Sequence, residues 1–135
     1  MKFLIVCVLF LVSCSSEKLI PPNKSEALVV AEKWFRYLDK RFFLKAYNDS
    51  SNILKKKLTA AAWQRSFFYK EVRVGKKKER VKSRDALLYN LRSFPPGAYT
   101  EIDYDTYYSK RGATRERLIL RWEEGKWRVC GYTLL

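Results

Sequence analysis

The spacing of apolar residues changes once along this chain of 135 residues, close to Gly75. Before Gly75 the apolar residues recur every three or four positions, which is the period of an α-helix with one buried face. After Gly75 they alternate with polar residues, as they do in strands that bury one side. Helices followed by consecutive strands are typical of the α+β class. The sequence therefore predicts two or three N-terminal helices packed on an antiparallel sheet of about four strands.

Capping and turn residues place these elements along the chain. Asn23 or Ser25 can cap the first helix, and Thr59 can cap a later one, because their side-chain oxygens accept hydrogen bonds from free backbone N–H groups. The predicted helices cover about 25–39, 43–47 and 60–73, and the predicted strands cover 80–91, 99–108, 115–123 and 127–134.

Two hairpins define the predicted register of the sheet. A three-residue loop at 110–112, with Gly112 left-handed, places Tyr104 opposite Leu118. The other expected pairs are Ile102 with Leu120, Asp105 with Arg117, Glu101 with Arg121, Leu120 with Val129 and, across a two-residue loop at Glu124 and Gly125, Trp122 with Trp127. The predicted core face then carries Thr100, Ile102, Tyr104, Leu118, Leu120, Trp122, Trp127, Val129 and Gly131.

The opposite face of this sheet carries an apolar strip of four residues. By alternation the strip contains Ile119, Cys130, Tyr132 and Leu134. Two interpretations stay open at this point. The chain's own loops or N-terminal segment can cover the strip, or it can be a surface for a partner, including a second copy in a homodimer.

The N-terminus has the composition of a signal peptide. Lys2 precedes an unbroken apolar run over 3–12, which at ~1.5 Å per residue spans about half of a ~30 Å hydrocarbon core. This length is typical of a signal-peptide apolar region and is too short for an ordinary membrane-spanning helix. We therefore expect export from the cytoplasm.

The run ends in Leu11-Val12-Ser13-Cys14, and here the chain resembles bacterial lipoprotein precursors. The resemblance implies a signal peptide over 1–13 and a diacylglycerol, with further acyl chains such as palmitate, on Cys14. It also implies a tether over 14–24, a domain over 25–135 and attachment to a membrane of the cell envelope, which Ser15 suggests is the outer one if the source has two. An ordinary secretory signal with an incidental Cys14 is the alternative.

The closing stretch Trp127-Arg128-Val129-Cys130-Gly131-Tyr132 carries a second resemblance. Together with Ala31-Glu32-Lys33-Trp34, Trp63 and Gly97-Ala98-Tyr99 it resembles domain-of-unknown-function family 4019, over about 25–135. The family implies a cone-like fold of helices on a curved sheet, similar to the nuclear-transport-factor and cystatin-like superfamily. It implies no activity, and its motifs are core and turn residues.

Positive charge is concentrated in the middle third of the chain. Residues 40–84 carry fifteen Lys and Arg against three acids. The densest run is Lys76, Lys77, Lys78, Arg80, Lys82 and Arg84. This run predicts contact with a polyanion, and in an envelope the available ones are anionic lipid, lipopolysaccharide and acidic envelope proteins. A solvated basic surface without a ligand is the alternative, and nucleic acid is not expected after export.

Residue types that carry catalysis or bind metals are scarce. The chain has no His, its five Gly are isolated, and no Cys cluster has metal-ligand spacing. Glu101, Asp103 and Asp105 alternate on one strand face, where cross-strand Arg partners are expected rather than a cation. We therefore predict no metal, no cofactor and no catalytic residue.

The most favoured function from sequence is a lipid-anchored binding or assembly module of the bacterial envelope. The alternative is a small-ligand-binding or enzymatic domain of the cone fold, since some enzymes of the superfamily use an interior carboxylate held among apolar side chains. In this sequence the candidates for that carboxylate are Asp39, Asp49 and Asp85.

Overall fold

A computed structural model describes residues 22–135 and has the predicted α+β architecture. Four helices precede a four-stranded antiparallel sheet in the order β1-β2-β3-β4. The elements are α1 (Lys24–Asp39), α2 (Phe43–Asn48), α3 (Asn52–Lys57), α4 (Ala60–Val74), β1 (Lys77–Tyr89), β2 (Ala98–Tyr108), β3 (Gly112–Glu123) and β4 (Lys126–Leu134). The predicted signal peptide, Cys14 and most of the tether lie outside the described residues. No helix within 22–135 combines the length and hydropathy needed to cross a bilayer.

The predicted caps begin the two long helices. Asn23 Oδ1 accepts a hydrogen bond from the Ser25 N–H at 2.9 Å, and Thr59 Oγ1 accepts one from the Ala62 N–H at 3.2 Å. Helix α3 was not predicted, because six residues rich in lysine show no apolar period. It forms where Ser51 Oγ accepts from the Ile53 N–H at 3.2 Å.

The helices cover one face of the sheet with an aromatic core. Trp34 of α1 contacts Trp63 and Phe67 of α4, at ring-centroid distances of 5.7 and 6.1 Å. These rings belong to one buried cluster with Leu118 and Val129 of the sheet. Burying such side chains contributes about 1.5–3 kcal/mol each, so this cluster is the main source of the fold's stability.

The hairpin between β3 and β4 has the predicted register near its turn. Trp122 pairs with Trp127 and Leu120 pairs with Val129. The hairpin between β2 and β3 is displaced by two residues, because its loop is 109–111 and Gly112, at φ +80°, already pairs with Tyr108. The actual pairs are Ile102 with Leu118, Tyr104 with Glu116, Asp103 with Arg117, Asp105 with Arg115 and Glu101 with Ile119. A shift of two keeps every side chain on its predicted face.

A β-bulge at Cys130 divides the predicted apolar strip. Leu120 pairs with Val129 but Ile119 pairs with Gly131, so β4 carries one extra residue at this point. Beyond the bulge Tyr132 and Leu134 pair with Leu118 and Glu116 of the helix-facing side. The prediction that Ile119, Cys130, Tyr132 and Leu134 share one face is therefore wrong, and so is the inward placement of Gly131.

The outer side of the bulge lies against the loop that joins β1 to β2. A Cβ added to Gly131 would meet the Ile119 side chain at 3.6 Å and the Phe94 ring at 3.7 Å. Arg121 Nη2 donates to the Pro96 carbonyl at 3.2 Å, which holds the loop against β3. Cys130 is buried, where its side chain packs as a small apolar residue. Use of this face by a partner or a second copy stays a prediction.

Candidate anion-binding cleft

A fully buried carboxylate lies between the helices and the sheet. Glu116 of β3 has no exposed side-chain surface. Its Oε2 accepts hydrogen bonds from the hydroxyls of Tyr108, at 2.8 Å, and Tyr132. Arg80 Nε lies 3.0 Å from Oε1, and Lys70 Nζ lies 3.4 Å from Oε2. Two cations and two hydroxyls therefore surround this carboxylate.

These neighbours keep Glu116 ionised. Burial by itself favours the protonated acid, but the charges of Lys70 and Arg80 outweigh it and lower the pKa of Glu116 to about 2. Burial also lowers the pKa of Lys70, although Glu116 acts in the opposite direction. Burial and the Glu116 charge together raise the pKa of the Tyr108 and Tyr132 hydroxyls, which therefore remain donors at neutral pH.

Arg80 connects this cluster to the end of α1. Its side chain is 8% exposed, and its Nη1 donates to both oxygens of Asp39, at 2.9 and 3.1 Å. The guanidinium carbon lies 3.9 Å from the centre of the Phe35 ring. Lys77 Nζ, 3.5 Å from Asp39, is a second partner for the same carboxylate. The ends of α1 and β1 are thus held together by charge-assisted contacts.

A cleft of about 410 Å³ opens in front of the cluster, between the ends of α1, α4 and β1. Lys70 and Tyr108 form part of its wall, and Glu116 lies behind them. The cations that line the cleft are Lys40, Arg41, Lys70, Lys76 and Lys77, the acids are Asp39 and Glu71, and the apolar residues include Leu38, Phe43, Phe67 and Val74.

Both acids of the cleft already have cationic partners. Asp39 is paired with Arg80 and Lys77. Arg41 makes a bidentate contact with Glu71, in which Nη2 donates to Oε1 at 2.5 Å and Nε donates to Oε2 at 2.9 Å. Lys70 is paired with Glu116, so the excess of positive charge in the cleft comes from Lys40 and Lys76, which have no acidic partner among the described residues.

The predicted basic run does not form one exposed patch. Arg80 is buried, Lys82 pairs with Asp85, and Arg84 pairs with Glu101 and Asp103. Its remaining members are Lys76 and Lys77, which line the cleft, and the exposed Lys78. Arg80 is therefore not available to a polyanion, whereas the other five cations are exposed, and their contact with a polyanion stays a prediction. Because β1 is an edge strand, its exposed charges also oppose pairing with another sheet.

The three aspartates proposed as interior carboxylates occupy other environments. Asp39 lies at the lip of the cleft, and Asp49 is half-exposed, 3.7 Å from Lys33. Asp85 of β1 has an 11% exposed side chain and lies among cations, since Lys24 and Lys82 donate hydrogen bonds to it and lower its pKa. The interior carboxylate is Glu116, which sequence analysis missed. The signal was present, because Glu116 stands two residues before Leu118 on the inward side of the same strand.

The carboxylates on the outer face have arginine partners, as expected. Arg117 Nε donates to Asp103 at 2.8 Å, and Arg84 Nη2 donates to Glu101 at 2.6 Å. Arg115 lies 3.4 Å from Asp105. The hydrogen bond from Arg117 lowers the pKa of Asp103. Within residues 22–135 no group of acids and cysteines is arranged to hold a metal ion.

Comparison with known families agrees with the resemblance seen in the sequence. A family model described as "Protein of unknown function (DUF4019)" matches residues 30–132, so the chain belongs to this family. A search of curated proteins gave no match. The matched segment contains the aromatic core, the buried Glu116 cluster and nearly all of the sheet.

Proposed function

We propose that this protein is a lipid-anchored binding module of the bacterial cell envelope that takes an anionic group into the basic cleft. The observation that carries the proposal is the charge of the cleft, where Lys40 and Lys76 have no acidic partner among the described residues and both lining carboxylates are already paired. Its apolar floor around Phe67 and Val74 reduces the local dielectric constant and strengthens contacts with an anion. Anchoring through Cys14 is part of the proposal and rests on the leader sequence.

Binding has more support than catalysis by the interior carboxylate. A general acid must hold a proton near neutral pH, whereas the pKa of Glu116 is about 2. As a base, Glu116 would need an open path to substrate, but both of its oxygens face Arg80, Lys70 and two tyrosines. The contact between Glu116 and Lys70 instead holds the Lys70 ammonium group at the wall of the cleft.

The test is calorimetric titration of the full chain, in mild non-ionic detergent, with inorganic pyrophosphate as the anionic probe. Replacing Lys40 and Lys76 together by Ser removes two cleft cations, and at about 1 kcal/mol each this weakens binding by about 30-fold. The matched control is Lys126→Ser with Arg92→Ser, two exposed cations outside the cleft lining.

The control should bind pyrophosphate like the unmodified chain. Equal losses in both variants, or no pyrophosphate binding at low salt, would overturn the cleft proposal. Mass spectrometry of the mature N-terminus tests the anchor separately, and acyl chains on Cys14 are the expected result.

A further inference from the structure

The outward side of α4 carries three exposed apolar residues. Phe68, Tyr69 and Val72 are 56%, 60% and 53% exposed. Their spacing of three and four places them on one side of the helix, opposite the buried Trp63 and Phe67. We name these three residues the α4 patch. An apolar cluster on a helix face that its own core does not use indicates a contact outside the chain.

Cations surround the α4 patch. Arg65 and Arg73 lie on the same helix and are exposed. A shallow groove of about 330 Å³ beside Phe68 and Val72 is also lined by Arg41, Lys76 and Lys110. The acid in this groove is Glu71, which Arg41 already pairs. The patch therefore combines a small apolar centre with a positive rim.

We propose that the α4 patch docks on the surface of an anionic lipid bilayer. Helices with an apolar strip and Lys or Arg at its edges bind at the boundary between headgroups and acyl chains. The rim cations are attracted to anionic headgroups while Phe68, Tyr69 and Val72 enter the boundary region. A second copy of the chain is disfavoured as the occupant, because two patches in contact would bring two positive rims together.

The docking proposal uses a different surface from the anion-binding cleft and gains from the proposed anchor. A lipid on Cys14 would hold α4 close to a membrane at all times, so a weak surface contact becomes populated. The groove beside the patch and the cleft are both lined by Arg41 and Lys76. A docked α4 would therefore place the mouth of the cleft beside the headgroup layer.

Three tyrosines of similar exposure make the test internally controlled. Tyr69 is 60% exposed in the patch, while Tyr89 and Tyr107 are 61% and 54% exposed on the sheet. The full chain is incorporated into vesicles of phosphatidylcholine, with or without phosphatidylglycerol, and hydroxyl-radical labelling of each tyrosine is read by mass spectrometry. Labelling of Tyr69 should fall by about threefold or more in the anionic vesicles and recover at high salt.

Tyr89 and Tyr107 should be labelled equally in both kinds of vesicle. Unchanged labelling of Tyr69, or equal protection of all three tyrosines, would overturn the docking proposal. Protection of Tyr69 that requires added acidic protein would also overturn it, since the occupant would then be a protein.

Matched variants separate the patch from general surface hydrophobicity. Phe68→Ser with Val72→Ser should abolish the protection of Tyr69, whereas Val29→Ser with Val81→Ser, at positions 65% and 53% exposed, should leave it unchanged. Equal effects of the two pairs would contradict the assignment.

Pyrophosphate binding by the patch variant tells the two proposals apart, because loss of docking alone leaves the cleft intact. If the chain does not co-float with neutral vesicles, the proposed anchor on Cys14 is absent. Anionic vesicles added to the unanchored chain then still test whether Tyr69 is protected from labelling.

Discussion

Replacing Glu116 by Gln should destabilise this protein strongly at neutral pH. Gln keeps the size of the side chain but removes its charge, so Lys70 and Arg80 lose their shared buried partner. The contacts that lower the pKa of Glu116 from 4.5 to about 2 are worth about 3 kcal/mol, since a tenfold change in an equilibrium constant corresponds to about 1.4 kcal/mol. Measured losses on breaking a buried ion pair are about 3–5 kcal/mol, which is the same range.

The pH dependence follows from the direction of this pKa. Because the folded pKa of Glu116 is lowered, its contribution is complete above pH 4.5 and disappears as the pH falls towards 2. The difference in unfolding free energy between Glu116→Gln and the unmodified chain should shrink over that interval. Below it, a protonated Glu and a Gln make similar contacts.

The assay is urea unfolding of the full chain in non-ionic detergent, followed by tryptophan fluorescence at several pH values. Glu79→Gln, an exposed acid on β1, is the control and should change stability by less than about 0.5 kcal/mol. Adding Lys70→Met to Glu116→Gln should restore about 1 kcal/mol or more of unfolding free energy, because it removes one of the two buried cations that the Gln leaves without a carboxylate partner. A loss below about 1 kcal/mol at pH 7, or one that is constant from pH 7 to about 2, would contradict the stabilising role assigned to ionised Glu116.

Two further predictions concern the backbone and the buried thiol. Gly75→Ala should cost about 3 kcal/mol, because φ is +83° and a Cβ would lie 2.2 Å from Ser109 Oγ and 2.8 Å from the Lys110 nitrogen. Gly125→Ala, at φ +73° with open space around it, should cost only about 1 kcal/mol, and equal melting temperatures for the two variants would contradict the steric argument. Burial raises the pKa of Cys130 to about 12, so iodoacetamide should label it, by peptide mass spectrometry, only after urea unfolding. Rapid labelling of Cys130 without urea would show that the bulge opens in the folded state.

The long helices and the β3–β4 turn could be predicted because their determinants are local. Asn23 and Thr59 cap helices through hydrogen bonds to residues two or three positions away. The turn at Glu124 and Gly125 sets the pairing of Trp122 with Trp127, which are only five positions apart in the chain. The register between β2 and β3 could not be predicted in the same way. Loops at 109–111 and at 110–112 place the same side chains on the same faces, so the alternation of apolar and polar residues does not distinguish them.

The charge of the candidate site could not be assigned from the sequence. The count of cations in 40–84 was visible, but their use depends on acids far away in the chain, such as Asp39 and Glu116 for Arg80. The bulge at Cys130 likewise turned Tyr132 inward and made it a partner of Glu116. A bulge is decided by the packing of two strands, so it leaves little trace in one of them.

Residue type and short spacing were enough to predict the α+β class, the two long helices with their caps, the four strands and the excess of positive charge. Which cations are buried around Glu116, which line the cleft and which surround the α4 patch depends on how the helices pack on the sheet. The free energy of a charged side chain depends on how deeply it is buried and on how close the nearest opposite charge lies. Both are set by contacts between residues that are distant in the chain.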